Sequence, residues 1–215
     1  SWNDSFYMHT NKDAEDFKIE KTKDINFKKW DTYVPAKDET LIGGLTFLKN
    51  WEIRSEVTNA LGKIFVKNLK DNKEEELIFS DEEVFDGGVS LVQKDKNTDL
   101  IHISYSTPKT QYRVYLYNLR TKEKKLVKEQ IIPSGHNSND YVVERLECLS
   151  HDGRKVPITI TRHKKTKIDG NANVLLYGYG SYGNSMSPNF SSTRLSLINR
   201  DIIWVTAHIR GGLER

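Results

Sequence analysis

The chain has 215 residues, of which 36% are hydrophobic and 10% aromatic, so it is long and apolar enough to form one or two folded domains. The 33 Lys and Arg residues nearly balance the 30 Asp and Glu residues and leave a formal charge of +3, which does not indicate a nucleic-acid partner. No apolar run is long enough to span a bilayer and residues 1–16 are polar, so neither a membrane span nor a signal segment is predicted. The single cysteine, Cys148, cannot form an internal disulfide, which favours a reducing, cytoplasmic location.

Roughly the first 130 residues are typical of short strands separated by polar turns. Alternating aromatic and β-branched side chains indicate the strands, and clusters of Asn, Asp and Gly indicate the turns. The predicted strands cover residues 5–9, 17–19, 45–48, 51–57, 63–68, 76–79, 89–92, 100–105 and 112–118. Short, evenly spaced strands favour an antiparallel sandwich or a β-propeller.

A loose repeat favours the propeller. Residues 61–79 and 111–127 share one plan, in which a strand is followed by an Asn-Leu pair, a charged turn and a second short strand. The pairs Asn68-Leu69 and Asn118-Leu119 lie about one propeller blade apart, the spacing expected of repeated units.

The pattern changes around residues 131–140, a polar stretch with Pro133 and Gly135 that is typical of a domain boundary. Beyond it the sequence predicts an antiparallel pair of strands at 141–149 and 156–163. A buried strand at 174–177, a glycine loop, a short helix at 193–199 and a second buried strand at 202–207 follow. This order predicts the beginning of an α/β sheet.

Two glycine patterns after the strand at 174–177 are interpreted as decoys. Gly178, Gly180 and Gly183 form a G-x-G-x-x-G pattern, but bulky tyrosines fill the loop and Pro188 separates it from the helix, which argues against a dinucleotide site. Ser185 lies in a near match to the G-x-S-x-G nucleophile elbow, but no strand precedes it and Ser187 replaces the second glycine. We therefore expect Ser185 to be a loop residue.

Several segments together resemble oligopeptidase B, also called protease II, a branch of the prolyl oligopeptidase family of serine peptidases. The resemblance rests on residues 177–183, 186–190, 194–197 and 208–212, in this order and spacing. Further upstream, residues 6–12, 47–56 and 105–117 look like late propeller strands of the same family.

The resemblance implies a partial β-propeller over residues 1–135 and the N-terminal, incomplete part of an α/β-hydrolase (peptidase) domain over residues 136–215. It implies no cofactor and no metal, and short peptides cleaved after Lys or Arg as substrates of the intact enzyme. In such hydrolases the catalytic residues follow in the order Ser, Asp, His. In this family they lie beyond the Arg-Gly-Gly motif at 210–212, so this chain alone is expected to be inactive.

The resemblance also assigns roles to individual residues. Tyr179 corresponds to the tyrosine whose hydroxyl donates to the oxyanion of the tetrahedral intermediate, with packing of the loop as the alternative. Tyr182 stands where the family places an aromatic near the substrate, with core packing as the alternative. His208 and Arg210 are given structural roles. Leu213 replaces a third glycine, and would strain the turn if a positive φ were needed there.

Three hypotheses remain open on the sequence. The chain is an inactive part of a serine peptidase, one half of a split peptidase completed by another chain, or a propeller-derived binding or scaffold module. The sheet predicted at its end leaves an unpaired edge and exposed apolar surface, which favours association with a complementing fragment or with itself.

Overall fold

The computed structural model describes residues 1–80, 82 and 84–213, which form fifteen strands and one α-helix. The first sheet has the order β1-β2-β3 and contains β1 (Phe6–Thr10), β2 (Lys18–Thr22) and β3 (Asp31–Val34). The second has the order β4-β5-β6-β7 and contains β4 (Thr40–Leu48), β5 (Trp51–Thr58), β6 (Leu61–Asn68) and β7 (Glu74–Glu76). The third has the order β11-β10-β9-β8 and contains β8 (Asp86–Leu91), β9 (Leu100–Ser106), β10 (Arg113–Asn118) and β11 (Lys124–Glu129).

The fourth sheet is mixed and has the order β12-β13-β15-β14. It contains β12 (Tyr141–Leu149), β13 (Lys155–His163), β14 (Asn173–Gly178) and β15 (Ile202–Ala207), with helix α1 (Ser192–Ile198) before β15. The first three sheets pair only consecutive, antiparallel strands, whereas β14 pairs parallel to β15. The described residues are thus nearly all sheet. The predicted α/β character reduces to one parallel pair and one helix, so a layered α/β domain is not present among them.

The chain forms two compact units. One contains Ser1–Ile78 with Gln93–Asp99, and therefore the first and second sheets; the other contains Phe79–Val92 and residues 100–213, and therefore the third and mixed sheets. The predicted domain boundary at 135/136 lies inside the second unit, between β11 and β12, and stays a prediction.

In the first unit a small apolar core joins its two sheets. Ile19, Val34 and Ile42 are buried together, with Tyr7 and Leu45 packed against them. Burial of such side chains contributes about 1.5–3 kcal/mol each.

Strand β5 carries charged residues into the buried part of the same unit. Glu52, Arg54 and Glu56 alternate along one face of the strand, and each is at most 4% exposed. The Arg54 guanidinium donates to both oxygens of Glu74 at 2.7 and 2.9 Å and, through Nε, to Glu56 at 2.9 Å. Buried charges are tolerated only when paired in this way.

The turn between β5 and β6 contains two residues, Asn59 and Ala60, with φ of 53° and 58°. Two left-handed residues are the signature of the type I′ turn, whose twist matches that of a hairpin. Ala60 is unusual at such a position, because an L side chain disfavours it.

The Asn-Leu repeat is confirmed as a structural repeat. Asn68 ends β6 and Asn118 ends β10, and each side-chain oxygen accepts a hydrogen bond at 2.9 Å from the amide two residues on, in Lys70 and Arg120 respectively. The same Asx turn therefore connects β6 to β7 and β10 to β11. Leu119 is fully buried behind its turn.

Candidate active-site loop

The candidate site is the loop that follows β14. Strands β14 and β15 are parallel, so their carboxyl ends lie at the same end of the mixed sheet. The loops after Gly178 and after Ala207 therefore lie side by side. The Gly183 amide donates to the Gly211 carbonyl at 3.1 Å, which joins the two loops.

Glycines make this contact possible. A Cβ built on Gly180 would lie 2.1 Å from the carbonyl oxygen of Arg210, and one built on Gly211 would lie 2.0 Å from the carbonyl oxygen of Gly180. Gly211 also has φ of 99°, a conformation open to glycine. The glycines of the loop therefore serve backbone packing. As predicted, no helix follows Gly183 directly, since α1 begins only at Ser192.

The two predicted site tyrosines lie on this loop and differ in environment. Tyr179 follows β14 directly and is 38% exposed, whereas Tyr182 is 90% exposed and has φ of 55°. In this structure the Tyr182 side chain therefore does not pack into a core. A left-handed tyrosine costs about 1 kcal/mol or more and occurs where the surroundings enforce it.

His208, directly after β15, is almost fully buried beneath the loop region. Its Nε2 lies 2.8 Å from the Thr159 hydroxyl and 3.0 Å from a guanidinium nitrogen of Arg145. Because a guanidinium only donates, Nε2 accepts, and the neutral ring carries its proton on Nδ1. Burial first, and then the charge of Arg145, lower the pKa of His208 to about 4, while the Met186 backbone acts in the opposite direction. A buried, neutral ring whose Nε2 is bonded to two neighbouring side chains supports the predicted structural role.

Arg210 contacts the turn between β12 and β13. Its guanidinium donates to Asp152 at 2.5 Å, and the Ser150 hydroxyl donates to the same carboxylate. The Ser150 hydroxyl, and then Arg210, lower the pKa of Asp152 to about 2. The pair is largely exposed, so it orients the loop after β15 more than it stabilises the fold.

Ser185 is a loop residue, as predicted. Its hydroxyl accepts a hydrogen bond from the Leu213 amide at 3.2 Å, and none of the hydrogen bonds in the described part of the chain joins it to an imidazole. Leu213 does not have a positive φ, so the expected strain at this position does not occur. Its side chain instead packs near Gly183.

The partners of His208 and Arg210 were not predicted from the sequence. Arg145 and Thr159 lie 63 and 49 residues from His208, and Asp152 lies 58 residues from Arg210. Only the pairing of the strands brings these residues together, and no local sequence motif indicates the contacts.

Within residues 1–80, 82 and 84–213, no group of three His, Cys, Asp or Glu residues could hold a metal ion. No helix in that part of the chain is long and apolar enough to cross a membrane.

Three sheets of consecutive antiparallel strands define a propeller-like, all-sheet N-terminal region. Residues 1–130 match the family model described as the prolyl oligopeptidase N-terminal beta-propeller domain. The chain therefore belongs to the prolyl oligopeptidase family, and the predicted family resemblance is confirmed.

The relatives are peptidases by name. The chain is 34% identical to dipeptidyl aminopeptidase BI of Pseudoxanthomonas mexicana over 98% of its length and 29% of the relative's. It is 28% identical to protease 2 of Moraxella lacunata over 99% of its length and 30% of the relative's. The chain thus spans less than a third of these proteins.

Solved structures agree on the fold. Oligopeptidase B from Trypanosoma brucei, with covalently bound antipain in a closed form, superposes with a TM-score of 0.86 at 29% identity, over 98% of this chain and 32% of that one. Oligopeptidase B from Leishmania major gives a TM-score of 0.85 at 22% identity, over 98% of this chain and 30% of that one, which supports the fold alone.

Proposed function

We propose that the chain is part of a serine peptidase that hydrolyses short peptides after Lys or Arg. The family match and the peptidase names of the relatives support the reaction class. The preference for Lys or Arg rests on the resemblance to oligopeptidase B. Residues 136–215, with the mixed sheet, are proposed as the beginning of the α/β-hydrolase domain.

The observation that carries this proposal is the placement of Tyr179. It follows a parallel strand directly, is partly exposed, and lies on a loop held by the Gly180–Gly211 backbone contact. A hydroxyl carried on such a packed loop is suited to donate to an oxyanion, and one such donor contributes roughly 3–4 kcal/mol to transition-state stabilisation. Tyr179 is therefore proposed as an oxyanion donor, and the exposed Tyr182 as a substrate contact.

The chain alone is proposed to be inactive, with its triad supplied by further polypeptide. Ser185 is bonded to the Leu213 amide and His208 to Arg145 and Thr159, so neither side chain is arranged as a nucleophile or a base. A cytoplasmic location is proposed because Cys148 is unpaired and exposed.

The test uses the chain and a chimera. The purified chain is assayed with a fluorogenic Arg dipeptide and a serine-reactive phosphonate, and neither turnover nor labelling is expected. In the chimera, this chain replaces the matching segment of dipeptidyl aminopeptidase BI, and Tyr179→Phe is expected to lower kcat/KM by about 10²–10³-fold. The matched control is Tyr112→Phe, because Tyr112 is a similarly exposed tyrosine that lies directly before β10, outside the candidate site. Labelling of the chain alone would refute its inactivity, and an active Tyr179→Phe chimera would refute the role of Tyr179.

A further inference from the structure

The segment that follows β15, residues 208–211, is anchored to the β12–β13 hairpin through His208. The His208 amide donates to the Pro157 carbonyl at 3.0 Å, and its ring contacts Arg145 on β12 and Thr159 on β13. His208 and Thr159 are 2% and 3% exposed, so water has little access to these contacts. The hairpin therefore sets the position of the segment.

Arg145, Thr159 and His208 form a closed triangle of hydrogen-bonding atoms. Arg145 Nη1 lies 2.8 Å from Thr159 Oγ1 and 3.0 Å from His208 Nε2, and the last two atoms lie 2.8 Å apart. Because Nη1 carries two hydrogens, it donates to both partners at once. The guanidinium therefore fixes the plane of the ring, which the Thr159 hydroxyl alone would leave free to tilt.

The second side-chain link between the segment and the hairpin is weaker. Arg210 donates to Asp152 in the turn of the hairpin at 2.5 Å, but the two side chains are 63% and 36% exposed. Exposed ion pairs are screened by water and salt and restrain a chain only weakly. The contact between Arg145 and His208 is therefore the main side-chain restraint on the segment.

The other side of the segment supports the Tyr179 loop. The Ile209 side chain lies against the glycines on both sides of Tyr179, since a Cβ on Gly180 would lie 3.0 Å from it and one on Gly178 3.6 Å. Gly211 packs on Gly180 as well. A shift of the segment is therefore passed to both neighbours of Tyr179.

We propose that Arg145 is a positioning residue for the Tyr179 hydroxyl and acts through His208 and residues 208–211. A displacement of about 1 Å in a catalytic group can lower a rate about 10²-fold, so a distant support of the loop affects the reaction. The role of Arg145 rests on the proposed function of Tyr179, whereas the contact between Arg145 and His208 does not.

The first test is a double-mutant cycle in the chimera with dipeptidyl aminopeptidase BI. Arg145→Met is expected to lower kcat and kcat/KM equally, by about tenfold, because an oxyanion donor acts only in the transition state. In a Tyr179→Phe background the same substitution is expected to have no further effect, since the hydroxyl that it positions is already absent. Active sites are counted with the serine-reactive phosphonate, so that a loss of folded protein is not read as a loss of kcat.

Arg162→Met is the matched control. Arg162 lies on β13 of the same hairpin and pairs with Glu144, outside the triangle, so kcat is expected to stay unchanged. Thr159→Val removes another corner of the triangle with little change in the shape of the side chain, and is expected to lower kcat by about threefold. It provides the kinetic test if Arg145→Met fails to fold.

The second test uses the isotope-labelled chain without any substitution. At pH 7 the ring nitrogen shifts of His208 are expected to show a neutral imidazole with its proton on Nδ1, because Nε2 accepts from Arg145. A proton on Nε2 would show that the contact is not formed in solution, and would overturn the role of Arg145.

Two kinetic results would also overturn the role of Arg145. These are full activity of the Arg145→Met chimera, and an equal loss caused by Arg145→Met with and without the Tyr179 hydroxyl. If Tyr179→Phe still lowers kcat, the proposed function of Tyr179 stands in either case. Full activity of the Tyr179→Phe chimera would instead overturn both.

Discussion

Gly180 and Gly211 pack backbone against backbone, so closely that a Cβ on either would lie within 2.1 Å of a carbonyl oxygen of the other loop. The contact fixes the segment with Tyr179 to the loop after β15. It explains why glycines recur in this part of the sequence without a nucleotide to bind.

Gly211→Ala is expected to lower the free energy of unfolding by about 3 kcal/mol, because the methyl group meets the Gly180 backbone at a positive φ. Urea denaturation measures the change. Gly62→Ala is the control, since a Cβ there meets nothing within 4 Å. Equal stability of the two variants would contradict the role assigned to the contact.

Ala60→Gly is expected to raise the free energy of unfolding by about 1 kcal/mol, because glycine adopts the left-handed turn position without strain. The same substitution at Ala14, also buried but without a positive φ, is expected to lower it. Thermal unfolding of both variants checks the opposite signs. A loss of stability in Ala60→Gly would mean that the methyl packing outweighs the strain.

Arg54→Met is expected to lower the free energy of unfolding by about 2 kcal/mol, since it removes the bidentate partner of Glu74 and leaves the buried Glu56 with Lys37 alone. Lys63→Met removes a more exposed pair with Glu76 in the same sheet and is expected to have no measurable effect. Chemical denaturation at neutral pH compares the two. Similar losses of stability in the two variants would show that the buried charges contribute no more to the fold than the exposed pair.

His208 is expected to make the fold less stable as the pH falls from about 6.5 to about 4. The ring's pKa is lowered to about 4 in the folded chain from an ordinary 6.5, so the unfolded chain takes up the proton first. Between pH 7.5 and pH 4.5 the wild type should lose about 2 kcal/mol more than His208→Asn. Equal pH dependence of the two proteins would place the ring's pKa near its ordinary value.

The strands with alternating apolar residues were predicted well. The predicted bounds of β12 and β15 agree with the structure, because both are longer runs with clear ends. Strand β3 was missed, and β11 was predicted only as the second short strand of the repeat at 111–127, without bounds of its own. Strand β11 has the sequence Lys-Lys-Leu-Val-Lys-Glu and is exposed throughout. It therefore lacks the alternation of apolar and polar residues from which a half-buried strand is predicted.

The candidate site could be proposed from the sequence only where its residues are contiguous. The glycine loop and Tyr179 lie in one run, which the family resemblance indicated as a candidate site. The partly buried Arg54–Glu74 pair spans 20 residues and the Arg145–His208 contact 63. Such contacts depend on the register of the strands. The register is set when whole sheets assemble, so the local sequence around either residue does not indicate the contact.

The strand order of the mixed sheet has a consequence for folding during synthesis. Each of the first three sheets pairs neighbours in sequence, so a hairpin can close as soon as its second strand leaves the ribosome. Strand β14 cannot pair with the earlier β13, because β15, made later, lies between them. The Tyr179 loop is therefore expected to become ordered only after β15 has been made, and so to stay exposed to chaperones and proteases for longer than a hairpin loop of the first three sheets.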